Sequence, residues 1–313
     1  INDSFTAKAA LAVTSSDTSS GSCPVTVVRT YRVTDACGNY TTFSHTIIVQ
    51  DTTPPTVSGT LSPITVQGCS VASAPAAATT VAQLEALTGS VTVTDACTPK
   101  ASLTVSSTET SSGTCPVILT RIYTVNDACG NGTTLTQTIT IQDTTPPVVT
   151  GLLSGVTVQG CSVAAAPAPV TTVAQLESLA GSITINDVCT AKASLTVTST
   201  ETTSGAGTCS ITVTRTYKIS DACGNTVSVT QSISIVDTTA PVWTTPAGAL
   251  NVYLECSDAS GIATALADRP IASDNCGTVS VTVKSLGAFI PSGGCSQAGT
   301  YTNRYTAVDN CGN

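Results

Sequence analysis

The feature that most constrains this chain is an internal repeat with a period of about 92 residues. The run Asp51-Thr52-Thr53-Pro54-Pro55 returns at Asp143 and, with one change, at Asp237. A turn motif, Asp-x-Cys-Gly-Asn, recurs at residues 35–39, 127–131, 221–225 and 309–313. A period of this size suits a small folded domain and is too long for a solenoid unit. The chain is therefore predicted to be a row of homologous domains.

The repeat boundaries divide the chain into two complete units and two incomplete ones. We predict complete repeats at 51–142 and 143–236. A partial repeat at 1–50 lacks the opening half, and a diverged repeat at 237–313 lacks the last strand. Because both outer repeats are interrupted, we expect the sequence to be a segment of a longer chain.

Within a repeat, the residue pattern predicts short strands and one short helix. Apolar and polar residues alternate from Pro116 to Asn126, which is typical of a strand with one buried face, and Thr133 to Gln142 is predicted to return beside it. The helix is predicted over Thr80 to Leu87, with a capping box completed by Gln83 and an end at Gly89. The predicted fold class is all-β, with tandem Ig-like β-sandwich repeats arranged as an extended rod.

Composition favours an extracellular location and excludes several function classes. The 14 cysteines form no CxxC pair, which indicates disulfides in an oxidising compartment and no zinc site. Acidic residues outnumber basic ones by 19 to 11, which argues against a nucleic-acid partner. No apolar run approaches the roughly 18 residues that a membrane helix needs.

Each later repeat carries four cysteines, and their spacing limits the disulfide pairing. A continuous strand between Cys115 and Cys129 would hold these two residues some 35 Å apart, which excludes a bond between them. Following the chain direction through the strands favours Cys69 with Cys115 and Cys97 with Cys129 over the remaining connectivity. The equivalent predicted pairs are Cys161 with Cys209, Cys189 with Cys223, Cys256 with Cys295, and Cys276 with Cys311.

No residue pattern indicates catalysis. His45 is the only histidine, and its equivalents Gln137 and Gln231 lie between Thr and Ser, so we interpret all three as surface strand residues. No nucleophile elbow, phosphate loop or metalloprotease motif occurs. Three arginines share the inward phase of their strand with a tyrosine, and we expect their guanidinium groups to stack or hydrogen-bond inside the sandwich: Arg29, Arg121 and Arg215.

The aspartates suggest a metal site where consecutive repeats meet. Asp51 in the linker should approach Asp95 and Asp127, which follow two strands pointing towards it. The equivalent sets are Asp143 with Asp187 and Asp221, and Asp237 with Asp274 and Asp309. Three carboxylates with turn carbonyls would suit calcium, and the sequence suggests no other cofactor. The alternative is that each aspartate accepts hydrogen bonds from turn amides.

The spaced motifs as a set resemble a known family. The Asp-Thr-Thr-Pro-Pro linker, the Asp-x-Cys turn at Asp95 and the Arg-x-Tyr strand that leads into Asp-Ala-Cys-Gly-Asn are similar to hyalin-type (HYR-like) repeats. The four-cysteine form resembles arrays in giant cell-surface adhesins of gliding Bacteroidota, of the SprB type. Phe5 stands where this pattern has a cysteine, which leaves Cys37 without an assigned partner.

The resemblance implies export by the type IX system, cell-surface display, and a role in adhesion or gliding motility. Partners would be neighbouring repeats, other copies of the fibre, surface polysaccharide or envelope motility proteins. The linker Asp-Thr-Thr also resembles the O-glycosylation motif of the Bacteroidota, with acceptors Thr52, Thr144 and Thr238, although a proline-stiffened linker explains it equally.

These observations favour a non-enzymatic stalk or adhesin segment of a long filament protein. The alternative is an array of carbohydrate-binding modules, which would need an exposed aromatic platform, whereas Trp243 is the only tryptophan and lies beside a linker. The regular threonines from Thr134 to Thr140 leave ice or mineral binding as a third hypothesis.

Overall fold

The computed structural model describes residues 1–292 and 295–313, with the side chains of Ser285, Cys295 and Ser296 outside the description. The described chain is mainly β strand and divides into two compact units, Ile1–Thr144 and Thr145–Asn313. Each unit contains two of the predicted repeats. Within the described residues, no helix has the length and apolar character needed to cross a membrane.

The first unit begins with a three-stranded antiparallel sheet in the order β1-β2-β3. The second repeat follows with a four-stranded sheet in the order β5-β9-β8-β7 and a two-stranded sheet of β4 and β6. Strand β5 runs parallel to β9, and the other neighbours are antiparallel. The bounds are β1 Ala12–Ser20, β2 Val25–Thr34, β3 Tyr40–Val49, β4 Thr56–Ser58, β5 Ile64–Gln67, helix α1 Val81–Glu85, β6 Thr92–Thr94, β7 Thr104–Ser112, β8 Val117–Asn126 and β9 Gly132–Gln142.

Strand β8 confirms the predicted alternation. Leu119, Tyr123 and Val125 are buried, whereas Ile122 on the opposite face is 37% exposed. The buried face packs against β9 and against helix α1, whose Leu84 is fully buried. This one strand therefore connects the two apolar clusters of the repeat.

The predicted capping box forms at the start of helix α1. The Thr80 side chain accepts a hydrogen bond from the Gln83 backbone N–H at 3.2 Å, and Gln83 Oε1 accepts one from the Thr79 backbone N–H at 2.9 Å. Gly89, beyond the end of the helix at Glu85, takes a φ of +124°, and a Cβ there would collide with the Thr60 carbonyl oxygen. The helix therefore ends before the predicted Leu87, and the turn that follows it requires glycine.

The second unit repeats this plan once and then departs from it. Its first repeat has a four-stranded sheet in the order β11-β15-β14-β13 and a pair β10-β12, and the diverged repeat has three two-stranded sheets. Among the described residues of the diverged repeat, no apolar side chain is buried. The bounds are β10 Val148–Thr150, β11 Val156–Gln159, α2 Val173–Glu177, β12 Thr184–Asn186, β13 Thr196–Ser204, β14 Ser210–Ser220, β15 Thr226–Val236, β16 Val242–Trp243, α3 Ala259–Ala267, β17 Ala272–Ser273, β18 Ser280–Ser285, β19 Ile290–Ser292, β20 Cys295–Thr300 and β21 Arg304–Val308.

Candidate functional site at the repeat junctions

Disulfides in this structure join consecutive repeats. In the first unit, Cys23 of the first repeat is bonded to Cys129 of the second, with Cα atoms 5.2 Å apart. In the second unit, the bonds are Cys161–Cys276 and Cys209–Cys311, with Cα distances of 4.9 and 5.2 Å. Cys69, Cys115, Cys189 and Cys223 are also disulfide-bonded.

These bonds correct the predicted pairing within repeats. The pairs Cys97–Cys129, Cys161–Cys209 and Cys276–Cys311 are wrong, because one or both members are bonded across a junction. Cys256 has a free thiol, so its predicted bond to Cys295, whose side chain lies outside the described residues, is not formed. The prediction paired cysteines within one repeat, whereas these cysteines are bonded to cysteines of the neighbouring repeat.

Cys115 and Cys129 are not bonded to each other, as predicted from the length of the strand β8 that separates them. The residues after Cys97 and before Cys129 lie at one end of the repeat, where the Ala128 backbone N–H donates to Thr98 Oγ1 at 3.3 Å. Within the described residues Cys37, Cys97 and Cys256 are free and exposed.

A cluster of three carboxylates lies at the junction in the first unit. Asp51, Asp95 and Asp127 each place an oxygen within 4.8 Å of the others, as predicted from the chain direction. Asp51 comes from the linker, and the other two come from turns that follow strands β6 and β8. The Asn131 side chain fixes the linker to this turn by donating to the Asp51 carbonyl oxygen at 3.2 Å.

Turn amides orient each of these carboxylates. Asp127 Oδ1 accepts from the backbone N–H of Cys129 at 2.8 Å and of Asn131 at 2.9 Å, and its Oδ2 accepts from Asn131 Nδ2 at 2.7 Å. Asp95 Oδ1 accepts from the backbone N–H groups of Cys97 and Thr98. The turn interpretation is therefore correct, and it accounts for only part of the carboxylate oxygens.

The second unit repeats this arrangement around Asp237. Asp237 has an oxygen within 4.8 Å of one from Asp274 and of one from Asp309, in two groups that also include a cysteine sulfur. Those sulfurs belong to Cys276 and Cys311, which are in disulfides and offer no thiolate. Asn313 Nδ2 donates to the Asp237 carbonyl oxygen at 3.2 Å, as Asn131 does to Asp51.

The third predicted set is divided between the two units. Asp143, 1% exposed, accepts a hydrogen bond from Gln67 Nε2 at 3.0 Å in the first unit. In the second unit, Asp187 Oδ1 accepts from two turn amides and Asp221 is buried in the same way as Asp127. The approach of these three residues stays a prediction.

Sequence reasoning missed the glutamine that holds the linker aspartate. Gln159 Nε2 donates to Asp237 Oδ1 at 3.1 Å, and its Oε1 accepts from Thr238 Oγ1 at 2.7 Å. Gln67 makes the matching contacts with Asp143 and Thr144. The repeated run Val-Gln-Gly-Cys-Ser, at 66–70 and 158–162, carried the signal for this role.

Hydrogen bonds lower the pKa of two junction aspartates, whereas a nearby negative charge raises the pKa of a cysteine thiol. Burial raises the pKa of Asp127, but hydrogen bonds from the Asn131 side chain and from the backbone N–H groups of residues 129–131 outweigh it and lower the pKa. The pKa of Asp309 is lowered against burial in the same way, by Asn313 and its turn amides. The pKa of the Cys97 thiol is raised, chiefly by the negative charge of Asp51. The turn hydrogen bonds therefore favour the ionised form of Asp127 and of Asp309.

The inward arginines form an internal network in the complete repeats, as predicted. Arg121, 4% exposed, donates to Glu109 at 2.6 Å, to the Pro75 carbonyl oxygen at 2.8 Å and to the Tyr123 hydroxyl at 3.4 Å. Arg215 makes the equivalent contacts. Arg29 of the first repeat instead forms an exposed pair with Asp17.

The prediction for the histidine position is right for one repeat and wrong for two. His45 is exposed on β3, opposite Arg29. Gln137 and Gln231 are 2% and 4% exposed, because they lie on the buried faces of β9 and β15, in phase with Ile139 and Ile233. Thr52, Thr144 and Thr238 are exposed in their linkers, so their glycosylation stays a prediction.

An open groove of about 1170 Å³ lies in the diverged repeat. Its walls include Tyr253, 98% exposed, and Tyr301, 45% exposed, whose ring centroid is 5.3 Å from that of Phe289. This is an exposed aromatic surface that composition alone did not predict.

The chain has distant structural likenesses among cadherin ectodomains. It is similar to the extracellular domain of protocadherin gamma B4, with a TM-score of 0.28 and 13% identity over 90% of this chain and 54% of that one. For Drosophila N-cadherin EC1-4, the TM-score is 0.27 with 9% identity over 69% of this chain and 59% of that one. The chain thus spans between half and two thirds of their length. Such low scores carry no argument about function.

No protein-family model matches the chain, and none of the curated proteins matches it either. The function of the chain is therefore inferred from the disulfides and carboxylates at its junctions.

Proposed function

We propose that this chain is a segment of an extracellular stalk that supports adhesion and transmits force between its repeats, and that it has no enzymatic activity. The observation that carries the proposal is the set of disulfides between consecutive repeats. A bond within a domain stabilises only that domain, whereas a bond between domains transmits force from one to the next.

The position of the bonded cysteines supports this role. Cys209 and Cys223 flank the single strand β14, and both are disulfide-bonded. Force entering through Cys311 would pass to Cys209 and then along β14. A strand at about 3.3 Å per residue is already close to the full length of the chain, so it cannot extend much further. Tension would then load covalent bonds instead of the hydrogen bonds between strands.

Single-molecule pulling of the full chain by its termini tests this role. In the oxidised protein, extension should be limited to the segments outside the bridges. After reduction, each complete repeat should unfold in a step of roughly 300 Å, from about 92 residues at up to about 3.6 Å each. Unfolding steps of equal length in both states would contradict the proposal.

We further propose the surface location and the adhesion or gliding role that the HYR-like resemblance implies, with type IX export and assembly into filaments. Antibodies to this chain should label fibres on intact producing cells. Label found only after the cells are permeabilised would contradict this part. We also propose that calcium binds at the junctions, where the carboxylate clusters lie.

A second candidate function is carbohydrate binding at the aromatic groove, favoured by the exposed rings of Tyr253 and Tyr301. Aromatic faces are a common platform for apolar ligand surfaces. Glycan-array binding by the full chain, lost in Tyr253→Ala and kept in Tyr40→Ala, would support this function. Absence of any glycan signal would exclude it for the glycans tested.

A further inference from the structure

Two carboxylates at the junction around Asp237 each have a buried oxygen with no hydrogen-bond donor from the described protein. These atoms are Asp237 Oδ2 and Asp274 Oδ2. Asp237 is 8% exposed, and its Oδ1 already accepts from Gln159 Nε2 and from the Thr239 backbone N–H. Asp274 Oδ1 likewise accepts from the Cys276 backbone N–H at 2.7 Å. Burying charged oxygens without a partner is strongly unfavourable, so these two atoms need a ligand.

The same pattern occurs independently in the first unit. Asp51 Oδ1 accepts from the Thr53 backbone N–H and hydroxyl, while Asp51 Oδ2 is buried and has no donor among the described residues. It lies in the cluster with Asp95 and Asp127. No salt bridge of the described part of the chain involves any of these aspartates. The partner they lack is therefore a positive charge that the protein does not supply.

We infer that each of these two junctions binds a hard divalent cation, Ca²⁺ in an extracellular setting, through the oxygens that the turn amides leave over. In the second unit the ligands would be Asp237 and Asp274, with Asp309 beside them. In the first unit they would be Asp51 and Asp95, with Asp127, both of whose oxygens accept turn hydrogen bonds, beside them. Carboxylate oxygens without nitrogen or thiolate ligands suit Ca²⁺ rather than Zn²⁺.

The hydrogen bonds within each cluster make it ready to bind. Amide donors fix one oxygen of each linker aspartate and thereby direct the other into the cluster. The disulfides Cys23–Cys129 and Cys209–Cys311 fix the repeat that contributes the remaining ligands. The ligands of each site come from the linker and the turns of the later repeat, which the disulfide attaches to the preceding repeat, so occupancy would stiffen the junction. The inference does not rest on adhesion or on load, since it concerns the junction alone.

Calorimetric titration of the full chain with CaCl₂ after chelator treatment tests the inference. We expect binding with a dissociation constant of roughly 10⁻⁴–10⁻³ M, typical of extracellular modules. Asp237→Asn should remove one equivalent and leave the first-unit site intact, and Asp51→Asn should do the reverse. Asp268→Asn, which removes an exposed carboxylate of the same repeat, should change nothing.

A second measurement keeps the test decisive if a variant misfolds. The unfolding temperature of the wild-type chain should rise between EDTA and 5 mM CaCl₂, and MgCl₂ should give a smaller rise. If Ca²⁺ produces neither heat nor a shift of the unfolding temperature in the wild-type protein, the inference is wrong. Pulling experiments in EDTA would still test the stalk, so the two failures are distinguishable.

Discussion

Single aspartates at the junctions use the two oxygens of one carboxylate for different purposes. In Asp237, Oδ1 accepts hydrogen bonds that hold the linker, while Oδ2 is buried and accepts none from the described residues. In Asp127, both oxygens accept turn donors, and its pKa is lowered as a result. An Asx turn and a cation ligand are therefore compatible at one position, and the sequence motif alone does not separate them.

The lowered pKa of Asp127 gives a first prediction, about pH. A carboxyl group whose pKa is lower when folded contributes its full stability above its unfolded pKa of about 3.9, and this contribution is lost as the pH falls through the folded value. In EDTA, the unfolding temperature should therefore fall below about pH 4, and Asp127→Asn should flatten that fall. Scanning calorimetry from pH 7 to pH 2 measures it, with Asp268→Asn as the control whose profile should match the wild type.

A second prediction concerns the buried arginine. Replacing Arg121 by Met leaves the Pro75 carbonyl oxygen without its side-chain donor, while the Tyr123 hydroxyl still accepts from the Ala78 backbone N–H; the loss should cost about 2 kcal/mol of unfolding free energy. Arg29→Met breaks only an exposed pair and should lower the unfolding free energy by much less than Arg121→Met does. Hydrogen exchange at the Tyr123 and Val125 amides reports the first loss. Equal effects of the two substitutions would show that burial does not matter here.

At the scale of elements, each complete repeat depends on one long strand and one very short helix. Strands β8 and β14 link the apolar clusters and separate the cysteines that lie at their two ends. Helices α1 and α2 have five residues each, too few to be stable alone. Their caps and their buried Leu84 and Leu176 keep them in place.

The third prediction tests that cap. Thr80→Ala removes the acceptor for the Gln83 N–H and should destabilise the second repeat by about 1 kcal/mol, whereas Thr80→Ser should be nearly neutral. Thr172→Ala should do the same in the third repeat, because Thr172 accepts from the Gln175 N–H. Exchange rates at Leu84 and Leu176 measure both changes. An effect of Thr80→Ala equal to that of Thr80→Ser would count against the capping role.

At the scale of the whole molecule, the repeats are stabilised in different ways. The two complete repeats have apolar clusters around Tyr123 and Tyr217. In the diverged repeat, the buried side chains among the described residues are those of Asp237 and Asp309, and two disulfides connect it to the preceding repeat. Its order therefore depends on its neighbour.

The fourth prediction follows from this difference. Each bridge closes a loop of 102 to 115 residues, worth about 4.7 kcal/mol in the loop-entropy model. Reduction should unfold the diverged repeat first, so amides of β18 and β21 should lose protection from hydrogen exchange while those of β14 and β15 keep it. A Cys209→Ser and Cys311→Ser double variant should show part of the same loss without reductant. Simultaneous loss in β14 and β18 would contradict the prediction.

The sequence by itself determined the elements, because their causes are local. Period-two alternation defined β8, the capping box defined α1, and chain direction alone brought Asp51 to Asp95 and Asp127. The disulfide pairing could not be obtained in this way, since Cys129 bonds to Cys23 of the preceding repeat, while Cys97 at the same end has a free thiol. Burial of Gln137 likewise is seen only in the folded repeat, where it shares the inner face of β9 with Ile139. Tertiary structure decided these points because a bond or a burial needs two surfaces, and a local pattern describes only one of them.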